Sequence, residues 1–138
     1  MSLNATMRAV VWAGVPFMMN VTDLPMPVTQ GPTDAIVRTT TSAICGTDLH
    51  VYHGVWGSSD VPYTMGHEAI GVVSEMGSGV TAFSVGDRVI IPDSVQDGRV
   101  GSESHIAFGL GTDFGLPLGL QAEYVRVPWP NGNLMAIP

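Results

Sequence analysis

The sequence predicts a mainly β fold, barrel-like, with one or two short helical turns. Three observations carry that reading. Apolar runs are short and rich in Val, Ile and Thr, the residue types that fit a pleated surface. Seventeen glycines and ten prolines punctuate those runs, as in barrels built from short strands. Helical periodicity is scarce over the 138 residues, a length that suffices for one core.

The elements follow in order. Residues 7–13 form an apolar, β-branched run that Gly14 and Pro16 close. Residues 35–44 are dense in Val, Ile and Thr and make the clearest strand. Thr47 or Asp48 can accept a hydrogen bond from a free N–H and so cap a helical turn through Tyr52, with Thr47 and His50 three apart on one face. Residues 69–75 and 88–91 are short apolar runs, each bounded by glycine or proline. Residues 122–127 alternate moderately, and residues 134–137 make a last short strand. Residues 92–120 are rich in Gly and Ser and contain no cysteine; residues 93–112 read as a long loop, packed on something through Phe108, Phe114, Leu116 and Leu118. No internal repeat or domain linker is present, so residues 1–138 read as one domain.

Composition excludes several classes of function. The net charge is −7 and the basic residues are five arginines, with no lysine, so no basic stripe exists to neutralise nucleic-acid phosphates or an anionic membrane. Only 12% of residues are charged against roughly 25% in an average domain. A surface so poor in charge suggests cover from another domain or a second copy, or a compositional bias of the lineage. A single cysteine forbids an internal disulfide. Met1 to Val21 lacks the continuous apolar stretch of a signal peptide, and no run of about 18 apolar residues could span a membrane. A cytoplasmic location is the expectation.

The densest chemistry lies in two clusters, Cys45-Gly46-Thr47-Asp48-Leu49-His50 and Gly66-His67-Glu68. A thiolate, an imidazole and a carboxylate form a borderline-soft donor set that suits Zn²⁺ better than Mg²⁺ or Ca²⁺. Thr47, Asp48 and His50 add a hydroxyl, a carboxylate and a second imidazole, groups that move protons and orient a ligating histidine. Taken singly, each has a blander reading: an inert buried thiol for Cys45, a turn residue for His67, a helix cap for Asp48, an exposed surface histidine for His50.

With Gly66-His67-Glu68-Ala69, Gly86-Asp87-Arg88-Val89 and the stretch Gln121-Ala122-Glu123-Tyr124-Val125-Arg126-Val127-Pro128, the Cys45 run resembles the zinc-dependent alcohol dehydrogenases of the medium-chain superfamily. The resemblance covers residues 7–138 and the N-terminal, GroES-like catalytic domain, and it implies a partly open β-barrel. It implies Cys45 and His67 as zinc ligands, with Glu68 adjacent and able to approach the metal. By the same resemblance Thr47 passes the substrate's proton inward, His50 carries it to solvent and Asp48 orients His67. Trp56 falls where such enzymes line the substrate pocket, while His53 and His105 match nothing and read as surface or loop residues. The family's third protein ligand lies beyond the equivalent of Pro138; within these residues the candidates are Glu68, or Asp93, Glu103 or His105 from the long loop, and the alternative is a ligand from elsewhere. The four cysteines of the family's structural zinc are absent.

The nucleotide-binding domain that follows in this family is not expected in these residues. No Gly-x-Gly-x-x-Gly opens a helix, since Gly77-Ser78-Gly79 and Gly109-Leu110-Gly111 lack the spacing and context. NAD(P) would then require a further domain or a partner.

Three functions are compatible with these residues. The first is the catalytic zinc domain of an NAD(P)-linked alcohol dehydrogenase acting on a small alcohol or carbonyl compound. The second is a stand-alone zinc Lewis acid performing isomerisation, hydration or cyclisation, which turnover without nicotinamide would mark. The third is a non-catalytic assembly module, which would tolerate alanine at Cys45 and His67. In the family a distant C-terminal segment completes this β domain, so an exposed edge is expected to drive homodimerisation or docking of a complementing domain.

Overall fold

A computed structural model of the chain describes residues 5–138. The opening four residues of the stretch read above as lacking a signal peptide lie outside them. Among the described residues ten strands fall in chain order: β1 (Thr6–Trp12), β2 (Asn20–Pro25), β3 (Asp34–Ser42), β4 (Tyr63–Thr64), β5 (Ala69–Met76), β6 (Arg88–Ile91), β7 (Ser94–Gln96), β8 (His105–Ala107), β9 (Tyr124–Pro128) and β10 (Met135–Ala136). Helix α1 (Gly46–Tyr52) follows β3, a 3₁₀ turn spans Thr112–Phe114, and α2 (Pro130–Asn133) follows β9.

The strands form three sheets, ordered β2-β1-β4, β10-β6-β5-β3-β9 and β7-β8. Every strand pairing is antiparallel. Residues leading into β9 stitch the first two sheets together: Val10 N donates to Gln121 O at 2.8 Å, Glu123 N to Arg8 O at 3.0 Å, and Thr39 N to Glu123 O at 2.9 Å. The result is a partly open barrel of GroES-like type.

Alternation explains the strands that enclose the core. In β6, Val89 and Ile91 point inward while Arg88 and Ile90 point out. The main cluster gathers Val37, Val73, Val89, Ile91 and Val127 from the five-stranded sheet, with Val95, Ile106, Phe108 and Leu120 from the segment after β6. Leu116 and Leu118 pack against it, so the apolar residues of that segment do close on the core. A second cluster of Trp12, Val51, Tyr63, Met65 and Leu110 seats α1 through Val51, which is wholly buried.

The segment expected as one long loop, residues 93–112, departs from that reading. It contains the β7–β8 hairpin, and His105 lies exposed in β8 opposite Gln96. The hairpin's turn is pinned by Asp97, which accepts hydrogen bonds from Arg99 N and the Ser102 hydroxyl; those contacts hold its carboxyl below the usual aspartate range. β2, unexpected from the sequence, is an edge strand with no fully buried residue and therefore no apolar alternation to read.

Candidate metal centre

Strand register brings three distant turns to one end of the five-stranded sheet. Ser42 pairs with Ala69, and Ala69 in turn with Ile91. Cys45 lies three residues past Ser42, His67 two before Ala69, and Asp93 two past Ile91, so all three overhang the same end. Ala43 N donates to Glu68 O at 3.0 Å, as does the Ser42 hydroxyl at 3.1 Å, which closes the first two turns on each other.

Each turn is fixed locally. Cys45 occupies the N-cap of α1, and Asp48 reaches back to accept a hydrogen bond from Cys45 N at 2.8 Å. The turn before His67 is clamped by backbone. Gly66 has φ +91, Leu120 N donates to Gly66 O at 2.9 Å, and Gln121 N donates to Met65 O at 2.8 Å. Gln121 also donates from Nε2 to Ala43 O at 3.2 Å, and so ties both turns together. Sequence reasoning noted Gln121 only within a motif; nothing in its residue type announces that bridge.

Sulfur, imidazole nitrogen and carboxylate oxygen of Cys45, His67 and Glu68 all lie within 4.8 Å of one another. His67 Nε2 is 3.9 Å from Glu68 Oε1, while His67 Nδ1 faces Asp48 Oδ1 at 3.4 Å. His67 and Asp48 are buried, Cys45 is half-buried and Glu68 is exposed. Asp48 thus divides its oxygens, Oδ2 to the Cys45 amide and Oδ1 to the imidazole. Those two facing atoms, His67 Nδ1 and Asp48 Oδ1, are buried with no other partner. At 3.4 Å their contact is long for a hydrogen bond.

That geometry fits Zn²⁺. Tetrahedral zinc with ligands at ~2.0–2.3 Å separates its donors by roughly 3.5 Å, so a closure of about an ångström completes a Cys-His-Glu set. The orphaned His67–Asp48 contact is the arrangement that fixes a ligating imidazole's second nitrogen. Thr47 Oγ1 lies 3.9 Å from Cys45 Sγ, and His50 is exposed in the last turn of α1.

Other residues are placed elsewhere. Asp93 lines the cavity beside His67 and Glu68 but stands outside the donor cluster. Glu103 and His105 are exposed on the hairpin and also stand outside it. Trp56 meets Phe114 edge to face, with ring centroids 5.8 Å apart, and lines a different cavity with Trp12, Pro16 and Val61. His53 is exposed and tilts against Phe17, with ring centroids 5.3 Å apart.

Residues 31–138 match the family described as alcohol dehydrogenase GroES-like domain. An uncharacterized zinc-type alcohol dehydrogenase-like protein of Bacillus subtilis (strain 168), AdhB, is 37% identical across 96% of this chain and 39% of its own length. Among solved structures, alcohol dehydrogenase TADH from Thermus sp. ATN1 superposes with a TM-score of 0.89 at 36% identity, over 96% of this chain and 40% of that one. A zinc-binding dehydrogenase from Sinorhizobium meliloti 1021, solved bound to NADP, gives a TM-score of 0.78 at 30% identity, over 98% of this chain and 39% of that one. The chain therefore spans about two fifths of the length of these relatives. In sequence and in fold it belongs to the alcohol dehydrogenase GroES-like domain family.

Proposed function

We propose that residues 1–138 form the zinc-holding catalytic domain of an alcohol dehydrogenase-type oxidoreductase acting on a small alcohol or carbonyl compound. The observation that carries this reading is the convergence of Cys45, His67 and Glu68 donors within 4.8 Å. Its support is the buried Asp48 carboxylate facing the far nitrogen of His67. Relatives named as zinc-type alcohol dehydrogenases, and a neighbour solved with NADP, point the same way.

Cys45, His67 and Glu68 would hold Zn²⁺ and leave a fourth position open. When bound there, the metal supplies Lewis-acid polarisation of an alcohol or carbonyl oxygen. Asp48 keeps the imidazole of His67 in one orientation and, through Cys45 N, keeps the thiol on the same side. The half-buried Thr47 hydroxyl, next to Cys45 Sγ, takes the proton of the substrate hydroxyl. His50, exposed one helical turn on, passes that proton to water. Hydride exchange with NAD(P) falls to a nucleotide-binding domain or a partner, because the described residues carry no phosphate-cradling glycine turn.

Exposed apolar side chains suit such a partner. Phe17, Val21 and Ile44 are 66%, 71% and 76% exposed, and a complementing domain or a second copy of the chain would cover them. No helix among the described residues is long and apolar enough to cross a membrane. The free thiol of Cys45 suits a reducing compartment such as the cytoplasm.

Zinc content is the direct test, measured on protein purified without added metal or a chelating tag. About one equivalent per chain is expected, falling to near zero in Cys45→Ser and His67→Ala variants that remain folded. Near zero in the wild type, or retention by both variants, refutes the assignment. Sedimentation tests the partner, and a concentration-independent monomer would count against self-association.

A further inference from the structure

A cavity of about 330 Å³ opens against His67 and Glu68. That volume suits a small ligand. Its walls are largely apolar, from Ala43, Ala69, Ile70 and Ile90, and Asp93 closes another side.

Asp93 is held in place by its backbone, since Phe108 N donates to Asp93 O at 3.0 Å. Its carboxylate accepts only the Ser94 hydroxyl, at 3.3 Å, and no ion pair among the described residues includes it. No arginine lines the cavity, and the chain has no lysine. Two acidic residues, Glu68 and Asp93, both solvent-exposed, therefore line the cavity. With Glu68 committed to the metal, the charge of Asp93 remains free for the ligand. An anionic alcohol would meet repulsion and no base, whereas a cationic group gains a charge-assisted contact.

We infer that this pocket selects alcohols carrying a cationic nitrogen, with Asp93 as the specificity-determining carboxylate. The inference rests on the metal reading above and deepens it by naming the substrate class. The apolar walls receive the carbon skeleton, the metal side receives the hydroxyl, and Asp93 receives the cation.

Choline and 3,3-dimethyl-1-butanol separate charge from shape. They share an outline, differ in one positive charge, and the quaternary nitrogen of choline cannot ligate a metal. Their binding is measured on the full chain loaded with Co²⁺, by the visible cobalt–thiolate bands and by saturation-transfer NMR. Choline is expected to bind about fivefold tighter than its neutral isostere, the upper range for an exposed ion pair. Asp93→Asn should bring that ratio to about one, Asp93→Glu should retain a preference for choline, and high salt should erase it. A ratio of one in the wild type, a preference that survives Asp93→Asn, or failure of both alcohols to bind the cobalt-loaded chain overturns the inference. Absence of the cobalt–thiolate bands instead refutes the metal site, and the substrate assignment falls with it.

Discussion

Gly109 and Gly98 offer a matched pair of perturbations that tests how the His67 turn is held. Both residues have φ +75, a left-handed conformation that strains any side chain. A Cβ on Gly98 would meet nothing within 4 Å, whereas one on Gly109 would sit 2.6, 2.7 and 2.8 Å from O, N and C of Gly66. Those three atoms are backbone and cannot rotate away. Gly98→Ala therefore carries the left-handed penalty of about 1–2 kcal/mol, offset by about 0.4–1 kcal/mol from a less flexible unfolded chain. Gly109→Ala adds an overpacking cost of about 1–3 kcal/mol, for a net total of about 1–5 kcal/mol. At roughly 4 °C per kcal/mol, the Tm should fall by at most about 6 °C in the first variant and by about 4–20 °C in the second. Urea unfolding of both variants measures the difference directly. Because Gly66 precedes His67, zinc affinity should also fall in Gly109→Ala and not in Gly98→Ala. Equal stabilities for the two variants, within about 0.5 kcal/mol, would refute the reasoning, since only the contact with Gly66 distinguishes them.

Other variants test separate parts of the structure. Asp48→Asn should weaken zinc binding about 10- to 100-fold by loosening the His67 orientation, as a competing chromophoric chelator would read. Tyr63 is 2% exposed, its hydroxyl has no partner, and burial pushes its phenol up to about 12 from 10.0. That raised pKa gives a contribution fully present below pH 10 and lost as pH climbs toward 12, so stability should fall across this window. In Tyr63→Phe the alkaline fall should vanish while stability at pH 7 holds or rises by about 1 kcal/mol, both read by denaturant unfolding. Glu123 accepts hydrogen bonds from Arg8 N and the Arg8 guanidinium, which together hold its carboxyl below the ordinary 4.5. Its contribution is present above that pH and lost as pH falls through the lowered value, so Glu123→Gln should flatten the acid limb of a thermal-stability profile. Arg126 and Asp34 form a buried pair at 3.2 Å, and Arg126→Met should destabilise by about 3–5 kcal/mol in urea by leaving Asp34 buried without its cation.

What the sequence revealed, and what it hid, follows from burial. The runs at 7–13, 35–44, 69–75, 88–91, 122–127 and 134–137 fall on β1, β3, β5, β6, β9 and β10, because each of the longer ones buries one face or both. Helix α1 was readable from its capping residues, which the structure uses through Asp48. The hairpin β7–β8 was hidden because each of its three-residue strands buries a single residue, Val95 or Ile106, too few to show a period. The candidate donors were readable as residue types: the chain has one cysteine, and a hydroxyl, a carboxylate and an imidazole follow it within five residues. The meeting of Cys45 and His67 was implied by the family resemblance and not by their spacing, and nothing in the spacing states that Asp93 overhangs the same sheet end. Trp56, close in sequence to α1, lines a cavity other than the one beside His67 and Glu68, a separation that sequence proximity does not state.

Register is the physical link between the sheet and the site. Side chains alternate with a period of two, so a slip of one residue would turn Val37 and Val73 outward and move Cys45 relative to His67. The pairing of β3 with β5 shifts twice, between Ile36 and Val37 and between Thr39 and Thr41. The first places an extra residue, Ser74, in β5, and the second places an extra residue, Thr40, in β3. The second lies nearest the site and determines that Ser42, rather than a neighbour, faces Ala69. Gly71 stands beside it, opposite Thr39, and a Cβ there would meet Arg38 O and Val37 Cγ1 at 2.5 Å. A side chain at position 71 would therefore press on the strand whose register places Cys45. Donor geometry is thus set in the core of the sheet, several residues from the donors themselves. Substitutions that ease those irregularities should displace the thiol from the imidazole while every candidate ligand remains in the chain.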